Sequence, residues 1–140
     1  LDVPVETAHT ANIITVQADK TSMSRSLSYL IKYLMETMRS VTTIFIKTET
    51  LENEKPNAIK ITLSDSSSRE LPADLETMFN PLEISPDNTI SLGLPVSKKI
   101  IEDHGGNLLI KNSDSNKLIF ELILPLMVNN PAERSAREND

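Results

Sequence analysis

The residues best suited to hold a small anion sit in one window, 91–106, which reads Ser-Leu-Gly-Leu-Pro-Val-Ser-Lys-Lys-Ile-Ile-Glu-Asp-His-Gly-Gly. All three glycines of the protein, Gly93, Gly105 and Gly106, fall inside it. In a chain this poor in glycine, each marks a backbone position that a side chain would spoil. The pattern is a tight turn, an amphipathic helix and a glycine stop. A turn leading into a helix presents free backbone N–H groups to an anion. A second candidate is Asp65, which opens the run Asp65-Ser66-Ser67-Ser68-Arg69. Other chemistry is hard to assemble. The two histidines, His9 and His104, lie far apart and cysteine is absent, so no metal-ligand cluster or Cys/His pair can be drawn. Glu102 and Asp103 belong to the outer face of a helix and do not suggest a converging acid–base pair. No catalytic residue and no metal ligand are assigned.

Composition narrows the classes further. A chain of 140 residues defaults to one domain and is long enough to bury a core. Its 39% hydrophobic and 24% charged residues are ordinary for a soluble globular protein. A net charge of −6 argues against nucleic-acid binding, which needs a basic face. With aromatics at 4% and no tryptophan, base-stacking platforms are also disfavoured. No apolar run approaches the roughly 20 residues of a membrane span. The absence of cysteine fits a cytoplasmic protein. The chain starts at Leu1 without Met and without a visible signal peptide, so it reads as a piece of something longer.

The elements that must position these residues follow from periodicity. Residues 11–17 read as a first strand. Asp19 to Ser22 supply helix-start residues, and Met23, Leu27, Leu30, Ile31, Leu34 and Met38 then recur at helical spacing. Val41–Lys47 reads as a strand, and Ala58–Ser64 as another with Ile59, Ile61 and Leu63 on one face. Residues 65–90 are rich in serine and proline and read as a long loop with a helical piece near Asp74–Met78, the length expected of a lid. Pro95–His104 is the helix of the glycine window, with Gly105 at its left-handed stop. Leu108–Lys111 and Lys117–Leu126 close the domain as a hairpin, and the polar tail 129–140 is expected to be disordered. The order β-α-β-β-lid-α-β-β predicts a two-layer α/β sandwich over residues 1–128. Its sheet is mixed, mostly antiparallel, and covered on one face by helices.

At this level the chain resembles the C-terminal ATP-binding catalytic domain of two-component sensor histidine kinases, within the GHKL ATPase superfamily. The segment 91–106 is similar without gaps to that family's G-L-G-L-x-x-V-K-K-I-I-E-x-H-G-G stretch. Met78-Phe79-Asn80-Pro81-Leu82 resembles its lid phenylalanine segment. The resemblance covers residues from about 11 to 126. It implies four nucleotide boxes, and these are altered. The two asparagines of the first helix, the second a Mg²⁺ ligand in the family, fall on Tyr29 and Tyr33; a phenol is a poor ligand for a hard cation. The family's Asp-x-Gly-x-Gly, whose Asp accepts from the adenine amino group, is here Asp65 to Arg69, with the Asp kept and both glycines gone. The phosphate turn is Thr89-Ile90-Ser91-Leu92-Gly93-Leu94, with only its last glycine kept. Pro95 has no N–H to offer a phosphate.

The candidate binding residues carried over by the resemblance are therefore Tyr33, Asp65, Ser67, Ser91, Leu92, Gly93 and Leu94. Each has a plainer alternative. Asp65 suits a turn cap, Tyr29 and Tyr33 suit a core edge, and Gly93-Leu94 suit an ordinary helix entry. His104 and Gly105-Gly106 read as structural. Replacing glycine where the backbone is left-handed costs about 1–2 kcal/mol each, so tight binding of Mg·ATP is not expected. The resemblance implies a bacterial, cytoplasmic signalling domain, or the cytoplasmic part of a membrane-bound sensor, in degenerate pseudokinase form. Its partners would be the upstream dimerisation and phosphoacceptor helices and a response regulator, and the isolated domain would be monomeric and inactive alone. An active kinase domain with a divergent pocket, binding ATP with Mg, is the first alternative. An anti-sigma-type GHKL switch is the second.

Overall fold

Strand alternation decides which residues meet the helices. The computed structural model describes residues 3–9, 16, 18–40, 42–52, 57–80, 93–114 and 116–126. Among these, the elements run β1 (Val5–His9), α1 (Lys20–Thr37), β2 (Ile44–Leu51), β3 (Ala58–Ser68), a 3-10 turn (Leu75–Phe79), α2 (Gly93–Asp103), β4 (Asn107–Asn112) and β5 (Lys117–Pro125). They build a five-stranded sheet in the order β1-β2-β3-β5-β4. The β1/β2 pair is parallel, and the remaining pairs are antiparallel. This is the mixed, two-layer α/β arrangement that the element order predicts.

Register brings the apolar residues into one layer. Ile59 lies opposite Leu124, Ile61 opposite Leu122 and Leu63 opposite Phe120, while β4 adds Leu108 against Leu122 and Ile110 against Phe120. Helix α1 lays Leu30 and Leu34 on this face, and α2 adds Leu94 and Ile101. Leu30, Leu34, Ile101, Phe120 and Leu122 are fully buried, each worth about 1.5–3 kcal/mol relative to exposure. The two helices approach closely because small residues separate them. Ser97 Oγ donates to the Ser26 carbonyl at 3.1 Å, and a Cβ on Gly93 would lie 3.3 Å from the Tyr29 Cβ.

Helix α2 ends as its glycines predict. Gly105 has φ +78°, its N–H donates to the Glu102 carbonyl, and the Gly106 N–H donates to the Ile101 carbonyl, a Schellman arrangement. The residue before this glycine pair, His104, joins the two helices. The Asp19 N–H donates to its Nε2 at 3.0 Å, so its Nδ1 carries the proton donated to the Ile100 carbonyl at 2.7 Å.

Asp19 caps α1 in turn, accepting from both the hydroxyl and the N–H of Ser22. These bonds, the hydroxyl's first, hold its carboxyl below the ordinary aspartate value of 3.8. A folded value below the unfolded one contributes stability at higher pH, which is lost as pH falls through the folded value. An NMR titration should therefore place the Asp19 midpoint below that of a free aspartate, with Ser22 amide protection falling along the same curve. A midpoint at or above the ordinary value contradicts the cap.

Several boundaries differ from expectation. The first strand is Val5–His9. Of the 11–17 stretch only Val16 is described, and it is not in a strand. Strand β2 starts three residues later than Val41 suggested and continues through Thr48–Leu51, because those residues pair with Ala58–Ile61. Strand β3 runs on through Asp65–Ser68, so the loop predicted from residue 65 starts only after Ser68. The 3-10 turn matches the helical piece expected near Asp74. Residues 81–90 of the proposed lid and the tail from 129 lie outside the described residues.

Candidate functional site

The extended β3 changes what Asp65 is. Its inward alternation, Ile59, Ile61, Leu63, continues through Asp65 and Ser67, since residues two apart share a face. Both are buried, and so is Arg69 just past the strand. Strand β3 also bulges here: Ser64 faces Ile119 and Ser68 faces Lys117, leaving Asp65–Ser67 without a partner on β5. Three polar side chains are thereby turned toward the C-terminal end of α1.

There they form one closed network. Arg69 donates from Nη1 to Asp65 Oδ1 at 3.1 Å and from Nη2 to Oδ2 at 2.7 Å. The same guanidinium donates from Nη2 to the Leu34 carbonyl at 3.3 Å and from Nε to the Thr37 carbonyl at 3.5 Å. The Ser67 N–H donates to Asp65 Oδ1, and the Arg39 N–H donates to Ser67 Oγ, both at 3.0 Å. Helix α1 has no basic residue in its last turn. Arg69 supplies the positive charge that favours the carbonyl end of a helix. The Arg69 N–H, donating to the Asn116 carbonyl at 3.1 Å, fixes the backbone from the β4–β5 hairpin.

The other candidate residues lie outside this network of bonds. Tyr33 packs edge-on against Phe120, with ring centroids 6.1 Å apart. Burial pushes its phenol above the ordinary tyrosine value, and the nearby Arg69 charge acts in the opposite direction. Gly93 opens α2 against Tyr29, and Leu94 is a core residue. Ser91 and Leu92 lie outside the described residues. The structure thus brings Asp65 and Ser67 together. Phe79 is buried, and Lys98 Nζ sits 4.5 Å from its ring centroid, which ties the 3-10 turn to α2. Among the described residues, no group of three or more His, Cys, Asp or Glu could hold a metal ion. None of their helices is long and apolar enough to cross a membrane. An open cleft of about 550 Å³ lies between Leu75 and the β4–β5 hairpin, and none of the candidate residues lines it.

Arg69 is the residue that sequence reasoning missed. The signal was present as Asp65-x-Ser67-x-Arg69, which in a strand puts all three on one face. Reading that run as a loop removed the alternation that would have paired the charges.

No protein-family model matches the chain. The sensor histidine kinase ZraS of Salmonella typhimurium is 34% identical over 67 residues, 48% of this chain. Sporulation kinase E of Bacillus subtilis is 26% identical over 106 residues, 76% of this chain. Each match spans 14% of the relative's length. Among solved structures, the nucleotide-free catalytic domain of histidine kinase ThkA superposes with a TM-score of 0.73 at 25% identity, covering 88% of this chain and 80% of that one. The mycobacterial sensor histidine kinase MprB shares the fold, with a TM-score of 0.73 at 16% identity over 89% of this chain and 82% of its own. Strand order, helix placement and both sets of matches agree that the chain has the fold of a histidine kinase catalytic domain and is similar in sequence to sensor histidine kinases.

Proposed function

We propose that this domain has given up tight Mg·ATP binding and works by docking in two-component signalling. It would be the pseudokinase domain of a bacterial, cytoplasmic sensor protein. Its surfaces would engage the dimerisation and phosphoacceptor helices of the same protein and a response regulator. The observation that carries this reading is the Asp65–Arg69 pair. The one retained nucleotide-box carboxylate has both oxygens engaged by the guanidinium of the residue standing at a glycine position.

Two further features support it. Tyr33, at the position of the metal-binding asparagine, packs on Phe120. Gly93, the remaining phosphate-turn glycine, is used for the approach of α2 to Tyr29. On this reading the residues present do not fit a Mg·nucleotide. The retained Asp65 on an intact scaffold favours a second reading, an active domain in which nucleotide displaces Arg69.

A Mg·ATP titration followed by thermal denaturation separates the two. A ligand at 100 times its Kd adds about 2.7 kcal/mol of stability. The docking reading expects a midpoint unchanged to within about 1 °C at millimolar Mg·ATP, less than about 0.5 kcal/mol for a domain this size. A saturable rise of several degrees would establish nucleotide binding and end the pseudokinase proposal.

A further inference from the structure

The network around Arg69 is more than an ion pair. Four oxygen acceptors from two elements converge on one planar group: both Asp65 carboxylate oxygens from β3, and the Leu34 and Thr37 carbonyls from the last turn of α1. Asp65 and Arg69 are 3% and 6% exposed, so this convergence is shielded from water. Two of its parts are held without Arg69's side chain. The Ser67 N–H positions the carboxylate, and the Arg39 N–H positions Ser67. The carbonyl end of α1 is fixed by its own helix, with the Met38 N–H donating to the Leu34 carbonyl at 3.1 Å. A set of acceptors positioned independently of its occupant is a preorganised site.

The occupant, by contrast, sits where regular pairing ends. Arg69 follows the last residue of β3, and the residues after it, Glu70, Pro72 and Ala73 among them, are exposed and outside any strand.

We propose that Asp65, Leu34 and Thr37 form a recognition cradle for a planar, N–H-rich cation of the guanidinium or amidinium class, and that Arg69 is its resident ligand supplied in cis. The fork geometry of a guanidinium matches a carboxylate through two parallel bonds and leaves further N–H groups for the carbonyls. An ammonium offers no such plane. The negative end of α1 adds to the preference for a cation. This deepens the docking reading and rests on it in one respect: the cradle is closed to outside groups while Arg69 fills it.

Chemical rescue tests the cradle directly. Arg69→Ala leaves the acceptors and removes the ligand. At a methylguanidinium concentration about ten times its Kd, found by titration, its melting midpoint should rise by about 4 °C. Wild-type protein and the Asp65→Asn, Arg69→Ala double variant should each move by less than about 1 °C, and tetramethylammonium at the same concentration should leave all three unchanged. Should Arg69→Ala be unfolded alone, recovery of its folded NMR spectrum on adding methylguanidinium supports the cradle. Failure to recover overturns it, as does an absent shift or an equal shift in all three proteins. Wild-type binding of Mg·ATP would end the docking reading and leave the rescue result standing. An absent rescue removes the cradle alone.

Discussion

Arg69→Ala is expected to lower the unfolding free energy by about 3–5 kcal/mol. The side chains of Arg69 and Asp65 are 5% and 0% exposed, so removing one partner strands a carboxylate where water does not reach. The cost of that stranded charge, more than the lost attraction, sets the size of the effect. The Leu34 and Thr37 carbonyls lose a donor at the same time. In a domain with about 5–15 kcal/mol to lose, this is a large share. Denaturant unfolding reads it as a lower midpoint with unchanged slope. Replacing both residues with apolar ones, Asp65→Leu with Arg69→Met, should restore most of the loss, because the desolvation penalty goes with the pair. A single-variant loss under about 1 kcal/mol, the range of exposed pairs, would show that solvent reaches Asp65.

Gly106→Ala should cost about 3 kcal/mol, the upper part of the usual range for overpacking. A Cβ there would sit 2.4 Å from the Ile123 carbonyl oxygen and 2.8 Å from Leu124 Cδ2. The first neighbour is backbone of a strand paired on both sides, with β3 at Lys60 and β4 at Asn107, and has nowhere to go. Its neighbour gives the contrast. Gly105 has the left-handed φ, but the nearest atom to its Cβ would be Pro125 Cγ at 3.7 Å, an ordinary contact. Gly105→Ala therefore meets only the conformational penalty, about 1–2 kcal/mol. Denaturation of the two variants side by side checks the order. If Gly105→Ala proves the more damaging, turn conformation outweighs the approach of α2 to β5.

Sequence pattern was most informative where one period ran unbroken. The α1 stripe, the amphipathic α2 and the closing hairpin all lie where periodicity places them. Their glycine stop forms the bonds such a stop requires. The first strand was invisible because all five residues of Val5–His9 are exposed at a sheet edge, which leaves no inward face to read. Residues 48–51 of β2 were hidden for a related reason: their pairing with β3 is carried by backbone bonds that composition does not report. Around Asp65 it was the loop boundary that composition hid, because β3 runs on to Ser68. Serines and an aspartate suggested a loop, whereas polar residues can continue a strand when a buried partner satisfies them. That partner, Arg69, stood four residues away in the same run.

The central place of β3 governs how the chain must assemble. Its partner β2 is its near neighbour along the chain, but its other side waits for β5, where Ile59 meets Leu124. At about 5–20 residues per second, synthesis from Ser68 to Pro125 takes roughly 3–11 s. Over that interval the nascent hairpin carries an apolar face and an open backbone edge. Such long-range closure slows folding and invites association between unfinished chains. Translation speed and chaperone access thus act on the same strand that holds Asp65.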